Sequence, residues 1–268
     1  GYTIKGYHGT ENYGFKVFDP NKSDDRISLF FTTNKGMANT YVGDESKIYE
    51  TYLKVTNPYV VDAHGSKWNE IYLDEDMNKL PKEVRAIYEY GTFIRKNVDS
   101  NVDYTYVFDQ LGEAEESARY LINEAKENGS PYSKEREEEF IRLAQKVDKI
   151  YEEWDEDEHL DEDGYMQSLE DYVYDHKIST TSTRKLAKYA KENGYDGLII
   201  KNVMDNGKHY QDIGTLYESE VVVVFDSDQV KSADAVTYDD NGNIIPLIER
   251  FDSNQKDIRY SDKLDSTY

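Results

Sequence analysis

Apolar and polar positions fall into three regimes along the chain. Near the N-terminus, β-formers gather in short runs at 2–7, 28–32 and 47–55, and each run predicts a strand. The third breaks strict alternation at Ile48, Tyr52 and Leu53, yet β-branched and aromatic residues dominate it. Between the second and third runs, Met37 and Tyr41 stand one helical turn apart, so 34–41 is expected to form a short helix. Asn57-Pro58 closes the third strand, because a residue before proline is pushed to extended geometry and proline offers no donor.

The middle changes period. Ala114, Ala118, Leu121 and Ala125, then Phe140, Ala144, Val147, Tyr151 and Trp154 beyond Gly129-Ser130-Pro131, recur at helical spacing and predict a helical hairpin. After 175 the α/β pattern returns. Ser182 is a candidate N-cap for a helix over 185–193, Asn193-Gly194 a stop signal, and Gly197-Leu198-Ile199-Ile200 a buried strand. Asp205-Asn206-Gly207 reads as a turn. The run 220–225, from Glu220 through Val221, Val222, Val223 and Val224 to Phe225, is the strongest strand signal in the chain, since four β-branched residues in succession suit a sheet covered on both faces. Beyond Ser232 the period fades into an expected hairpin around Asp239-Asp240-Asn241-Gly242-Asn243 and a polar tail.

Charge sharpens this division. The 268 residues carry 32 Lys+Arg against 55 Asp+Glu, a net −23. Over 109–175 there are 7 basic and 23 acidic residues, so −16 of that imbalance lies in a quarter of the chain. A protein held to nucleic acid by a broad basic surface is therefore disfavoured. The acidic run 155–163 lacks the glycine-centred ligand spacing of an EF-hand and reads as a solvated loop. The chain contains no cysteine, which removes disulfides, thiolate nucleophiles and Cys-ligated metals. Its 25 tyrosines supply large apolar faces with polar tips, enough for a core. No apolar run reaches the roughly 20 residues of a membrane span, and the first 30 residues lack a signal-peptide pattern. The chain starts at Gly1 rather than Met and is expected to be a piece of a longer polypeptide.

Three distant segments place polar or aromatic groups at predicted strand edges: Tyr7-His8-Gly9-Thr10, Leu29-Phe30-Phe31-Thr32-Thr33 leading to Tyr41, and Glu218-Ser219-Glu220 before the valines. In that order they resemble the His-Tyr-Glu signature of the ADP-ribosyltransferase superfamily in its diphtheria-toxin and poly(ADP-ribose) polymerase branch. The likeness is closest to transferase domains of phage polyvalent and head-morphogenesis polyproteins. It extends to Asn57-Pro58, Gly194-Tyr195-Asp196-Gly197 and Val224-Phe225-Asp226-Ser227-Asp228-Gln229-Val230-Lys231-Ser232.

The resemblance covers 2–62 and 180–260 and implies a split, strongly bent β-sheet with NAD as co-substrate and no metal; it does not cover the acidic helical stretch. Joined to the helical period of the middle, it gives an expected α+β fold with an acidic α-helical insertion: 1–80 and 179–232 for the two halves of the transferase core, 81–178 for the insertion, and 233–268 for the hairpin and tail. Glu220 would be the catalytic carboxylate, steadying an oxocarbenium-like transition state as nicotinamide leaves. By the same likeness His8 would hold the adenosine ribose, and Gly9 would pair its backbone with the carboxamide. Tyr41 would stack on the nicotinamide with Phe30 or Phe31 on the other side, while Thr10 and Thr32 add polar contacts. Glu220 stands five residues before Phe225 where many relatives have four, so a bulge or shifted register is expected, and Glu218 competes for the role. His64-Gly65 repeats the His-Gly pair without its flanks and reads as a loop; His209, Tyr210 and Gln211 are candidates for an acceptor-facing loop.

The activity so implied is mono-ADP-ribosyl transfer to a macromolecular acceptor by a toxin or phage effector domain. Two alternatives stay open: an NAD glycohydrolase toxin, and a non-catalytic binding module whose working surface is the acidic hairpin. The expected partners are a protein acceptor and an immunity protein. The charge disfavours nucleic acid, although a basic groove around Lys5, Lys16 and Lys22 would admit it; no membrane partner is expected. The expected location is the cytoplasm of the host or target cell.

Overall fold

The four consecutive valines lie in a central strand of a seven-stranded sheet, and all four are buried. A computed structural model describes residues 1–98, 104–177, 179–209, 217–246, 249–251, 254 and 256–259. Its strands are β1 Ile4–Gly9, β2 Leu29–Thr32, β3 Ile48–Leu53, β4 Pro58–Asp62, β5 Gly197–Asp205, β6 Tyr217–Val224 and β7 Val230–Ser232. They pair in the order β4-β5-β6-β2-β1-β3-β7, antiparallel throughout except for the parallel β4/β5 pair. Each valine of β6 has a partner on both sides: Val222, for example, pairs with Phe31 of β2 and Ile199 of β5. Burying one such side chain contributes about 1.5–3 kcal/mol, so this run anchors the sheet.

The chain divides into two compact units, Gly1–Ile71 with Thr181–Tyr268, and Tyr72–Thr180. The first holds the whole sheet together with helices α1 Lys35–Val42 and α8 Thr183–Glu192. Ser182 caps α8 by accepting the Lys185 N–H, an interaction worth about 1 kcal/mol, and Gly194 past its end takes the left-handed φ of 80°. Gly197 meets a demand of another kind. A Cβ there would lie 2.8 Å from the Val223 carbonyl oxygen and 2.8 Å from Val55.

The second unit is helical: α2 Asp74–Met77, α3 Lys82–Asn97, α4 Tyr104–Phe108, α5 Ala114–Glu127, α6 Lys134–Glu152 and α7 Leu169–Asp175. Its core joins Ile87, Tyr90 and Ile94 of α3 to Ala118 and Ile122 of α5 and Phe140, Ala144 and Val147 of α6. Two details differ from the sequence reading. Ile122 and Leu143 join the buried core, which Leu121 only partly enters, while Tyr151 is exposed; and Trp154 lies past the end of α6, its indole N–H donating to the Gln167 carbonyl. Asp148 explains the start of α5, since its carboxylate accepts the N–H groups of Ala114 and Glu115 where no side chain caps the helix.

Two further corrections concern the sheet. Asp205 is the last residue of β5, not a turn residue, because β5 continues past a bulge to pair Asp205 with Tyr217. For the same reason β6 begins at Tyr217, so Glu218 and Ser219 lie inside it and Glu220 is its fourth residue, not its first.

Candidate active site

The sheet comes apart between β1 and β2. β1 shares six residue pairs with β3, and β2 shares four with β6, but β1 and β2 share only Tyr7↔Thr32. Antiparallel ladders turn the N–H and C=O of alternate residues toward the same neighbour. Thr10 donates to the Lys47 carbonyl on the β3 side, so the backbone groups of Gly9, like those of Tyr7, face β2. A continued ladder would bring the Gly9 N–H to the Phe30 carbonyl. That carbonyl is instead bonded to His8 Nδ1 at 2.8 Å. The imidazole thereby closes the ladder early and leaves the Gly9 amide and carbonyl turned into the gap.

The helix α1 lines the same gap. Asn34 caps its first turn by accepting the N–H groups of Gly36 and Met37, and Gly43 ends it at a left-handed φ of 65°. The helix packs so closely on β1 that a Cβ at Gly9 would stand 2.2 Å from the Ala38 carbonyl oxygen. Glycine at this position is thus required by helix packing, in addition to any approach by a ligand. Thr32 supports the other side: its hydroxyl hydrogen-bonds Ser219 of β6 and contacts the Met37 sulfur at 3.4 Å.

A cavity of about 310 Å³ opens at this place, within the range of small-molecule sites. Of the residues singled out from sequence, His8, Gly9, Phe30, Phe31, Thr32 and Tyr41 line it. Thr10, Glu218 and Glu220 do not. Val221, next to Glu220, does. By strand register His8, Phe31 and Glu220 project from one face of the sheet, since Tyr7 pairs with Thr32, and Thr33 donates its N–H to the Glu220 carbonyl. Glu220 is one two-residue step along β6 from Val222, the partner of Phe31; Glu218 is one such step, about 6.6 Å, further away. The irregular register expected near the glutamate lies on the adjacent strand. Lys201 and Asn202 of β5 together oppose Glu220, and Asn202 takes a φ of 53°.

Burial pushes the His8 imidazole below its ordinary value, with the Phe30 hydrogen bond acting in the opposite sense. The ring is therefore neutral near pH 7. With its proton on Nδ1, held by a carbonyl, Nε2 is left as an acceptor.

Asp205 also lines the cavity, 5% exposed, and its carboxylate accepts the Tyr41 hydroxyl. Burial raises the Asp205 carboxyl, against the Tyr41 hydrogen bond and the charge of Lys67, which lower it. Tyr41 is held firmly in its protonated form by burial of its hydroxyl and by the Asp205 charge. The residue as a whole nonetheless remains 40% exposed at the cavity wall.

The remaining wall was not anticipated from sequence. Asp24, Trp68, Thr183 and Arg184 complete the cavity, supplied by two loops and the start of α8. No local motif marks them, because they meet only through the fold. His64 sits in a loop as expected, at a φ of 50°, its N–H bonded to the Asp62 carboxylate. His209 donates its N–H to the Thr40 carbonyl at the C-terminal half of α1, while Tyr210 and Gln211 lie outside the described residues. Among the described residues, no group of three or more His, Asp or Glu side chains is placed to hold a metal ion, and no helix is long and apolar enough to cross a membrane.

No curated protein and no solved structure matches the chain. A sequence model for the ADP-ribosyltransferase in polyvalent proteins matches residues 1–239, a span that holds all seven strands and every residue lining the cavity. That coverage, together with a sheet parted at the His-Gly pair, shows that the chain belongs to the ADP-ribosyltransferases of polyvalent proteins, a family that uses NAD as its substrate.

Proposed function

We propose that this chain is a mono-ADP-ribosyltransferase that cleaves NAD and passes ADP-ribose to a protein acceptor, acting as an effector domain. The observation that carries the reading is the Gly9 backbone turned into the gap beside His8 and Tyr41. A primary carboxamide offers one donor and one acceptor edge, and the Gly9 C=O and N–H present the matching pair. Tyr41, partly exposed at the cavity wall, stacks on the pyridinium ring. The neutral His8 accepts through Nε2 from a ribose hydroxyl.

In the reaction the bond between the ribose C1′ and the pyridinium nitrogen breaks, and its electron pair neutralises the departing nicotinamide. Positive charge then builds on C1′ and the ring oxygen. The Glu220 carboxylate, on the His8 face of the sheet, steadies that charge through the 2′-hydroxyl, an interaction that strengthens as the bond breaks. The acceptor nucleophile closes on C1′ and gives up its proton. A net charge of −23 favours a protein over a nucleic acid as that acceptor.

Incubation with NAD labelled in its adenylate half, with and without lysate protein, tests the reading. Label on a discrete protein together with released nicotinamide is expected. Free ADP-ribose at the same rate without acceptor would make the chain a glycohydrolase, and intact NAD would leave it a binding module.

A further inference from the structure

A dinucleotide brings a diphosphate, two negative charges, to a protein that already carries −23. A cation in the cavity would offset the repulsion that this charge sets against entry. With His8 neutral, Arg184 is the one cation among the described residues that line it. Arg184 is also held in place. Its guanidinium carbon lies 5.6 Å from the Trp68 ring centroid, within cation–π range. The Trp68 carbonyl accepts both the N–H and the hydroxyl of Thr183, each at 2.8 Å, which ties the Trp68 backbone to the first residue of α8, next to Arg184. The guanidinium donates to Asp24 at 2.7 Å, and Asp24 lines the same cavity. A carboxylate on the planar donor edge of an arginine occupies the position a phosphate oxygen takes in a bidentate pair.

We propose that Arg184, seated on Trp68, is the diphosphate subsite of this cavity, and that Asp24 is its internal counter-ion, displaced when the ADP half of the dinucleotide enters. The assignment rests on the proposed use of NAD and adds the groups that recognise its phosphates. No covalent step is involved. The exchange swaps one exposed ion pair for a charge-assisted phosphate pair, so Asp24 lowers affinity by competing and keeps smaller anions off the site.

Calorimetric titration of NAD, ADP-ribose and nicotinamide riboside against the whole chain tests this. Arg184→Ala is expected to weaken NAD and ADP-ribose about tenfold or more, with nicotinamide riboside, which has no phosphate, changed less than twofold. Asp24→Asn is expected to tighten ADP-ribose several-fold. In a Trp154→Phe background, which leaves Trp68 the single tryptophan, ADP-ribose should change the emission and nicotinamide riboside should not. Equal ADP-ribose affinity in wild type and Arg184→Ala overturns the subsite alone, as does an equal loss for all three ligands. A wild-type chain that binds neither NAD nor ADP-ribose overturns both the subsite and the function proposed above.

Discussion

The hydroxyl of Tyr41, a residue on the last turn of α1, donates to the carboxylate of Asp205, the last residue of β5. The bond joins two elements 164 positions apart in sequence and fixes the Tyr41 ring at the wall of the cavity. Gly207 makes the same junction tight. A Cβ there would lie 2.4 Å from the Thr40 carbonyl oxygen, and its N–H donates to the Thr40 hydroxyl at 2.7 Å.

Tyr41→Phe keeps the stacking face and removes the donor. A buried carboxylate left without that partner costs about 1–3 kcal/mol, so the variant should unfold at lower urea while NAD affinity changes little. Tyr41→Ala should lose both. Urea melts and calorimetry on the two variants separate the roles; equal NAD affinity in wild type and Tyr41→Ala would remove the ring from the binding site.

Asp205 gives a pH signature of known sign. Its carboxyl is raised above 3.8 by burial. Between 3.8 and the raised value the native chain holds more protons than the unfolded one, so this group's contribution to stability falls as pH rises through that window. Asp25 and Asp196 are shifted the other way by hydrogen bonds that favour their charged forms, and would mask the trend in a single melt. The difference between wild type and Asp205→Asn isolates it. From pH 4 to 7 the variant should gain relative to wild type, and a constant difference would contradict the assignment.

His8 behaves oppositely. Its folded value lies below 6.5, so the unfolded chain binds the extra proton first, and the stability His8 allows is complete above about 6.5 and lost as pH falls toward the folded value. Nuclear magnetic resonance of the imidazole should show no titration centred at 6.5, and NAD affinity should stay level from pH 8 down to that point. A midpoint at or above 6.5 would contradict the burial described, and one above about 7 would mean a mostly charged ring at neutral pH with no acceptor on Nε2.

Much of this site was legible because its parts are local. Tyr7-His8-Gly9, Phe30-Phe31-Thr32 and the helix holding Tyr41 each carry their own strand or helix signal, and all reach one cavity. The valine run declared a central strand through composition alone, and it is one. Asp205 was hidden by its neighbours, since Asp-Asn-Gly reads as a turn and only pairing with Tyr217 extends the strand through it. Trp68 and Arg184 were hidden by distance, brought to the cavity by hydrogen bonds from Thr183 to the Trp68 carbonyl. Helix α3 went unread although Val84, Ile87, Tyr88, Gly91 and Ile94 repeat at helical spacing and are buried.

Gly9→Ala tests the packing demand separately from any ligand. The new methyl would meet a backbone oxygen at 2.2 Å, with no flexible side chain to give way. A loss of at least about 1–3 kcal/mol is expected in urea unfolding without NAD, as for other overpacked positions. If stability is unchanged, α1 does not press on β1 as described, and the glycine is needed for a ligand alone.

The two glutamates of β6 are separated by one prediction. Both point to the same side of the strand, but register brings Glu220 one step nearer to Phe31 and His8, and only Glu220 stands opposite the β5 bulge. A carboxylate that acts on the transition state should, when neutralised, lower kcat far more than it weakens NAD. Glu220→Gln is therefore expected to cut nicotinamide release by about a hundredfold or more, as loss of a preorganised electrostatic group does elsewhere. Glu218→Gln is expected to leave release of nicotinamide within a few-fold of wild type. Single-turnover measurement at saturating NAD removes any contribution from binding. If Glu218→Gln abolishes release and Glu220→Gln does not, the carboxylate is supplied from the position further along the strand, and the cleft extends beyond the bulge.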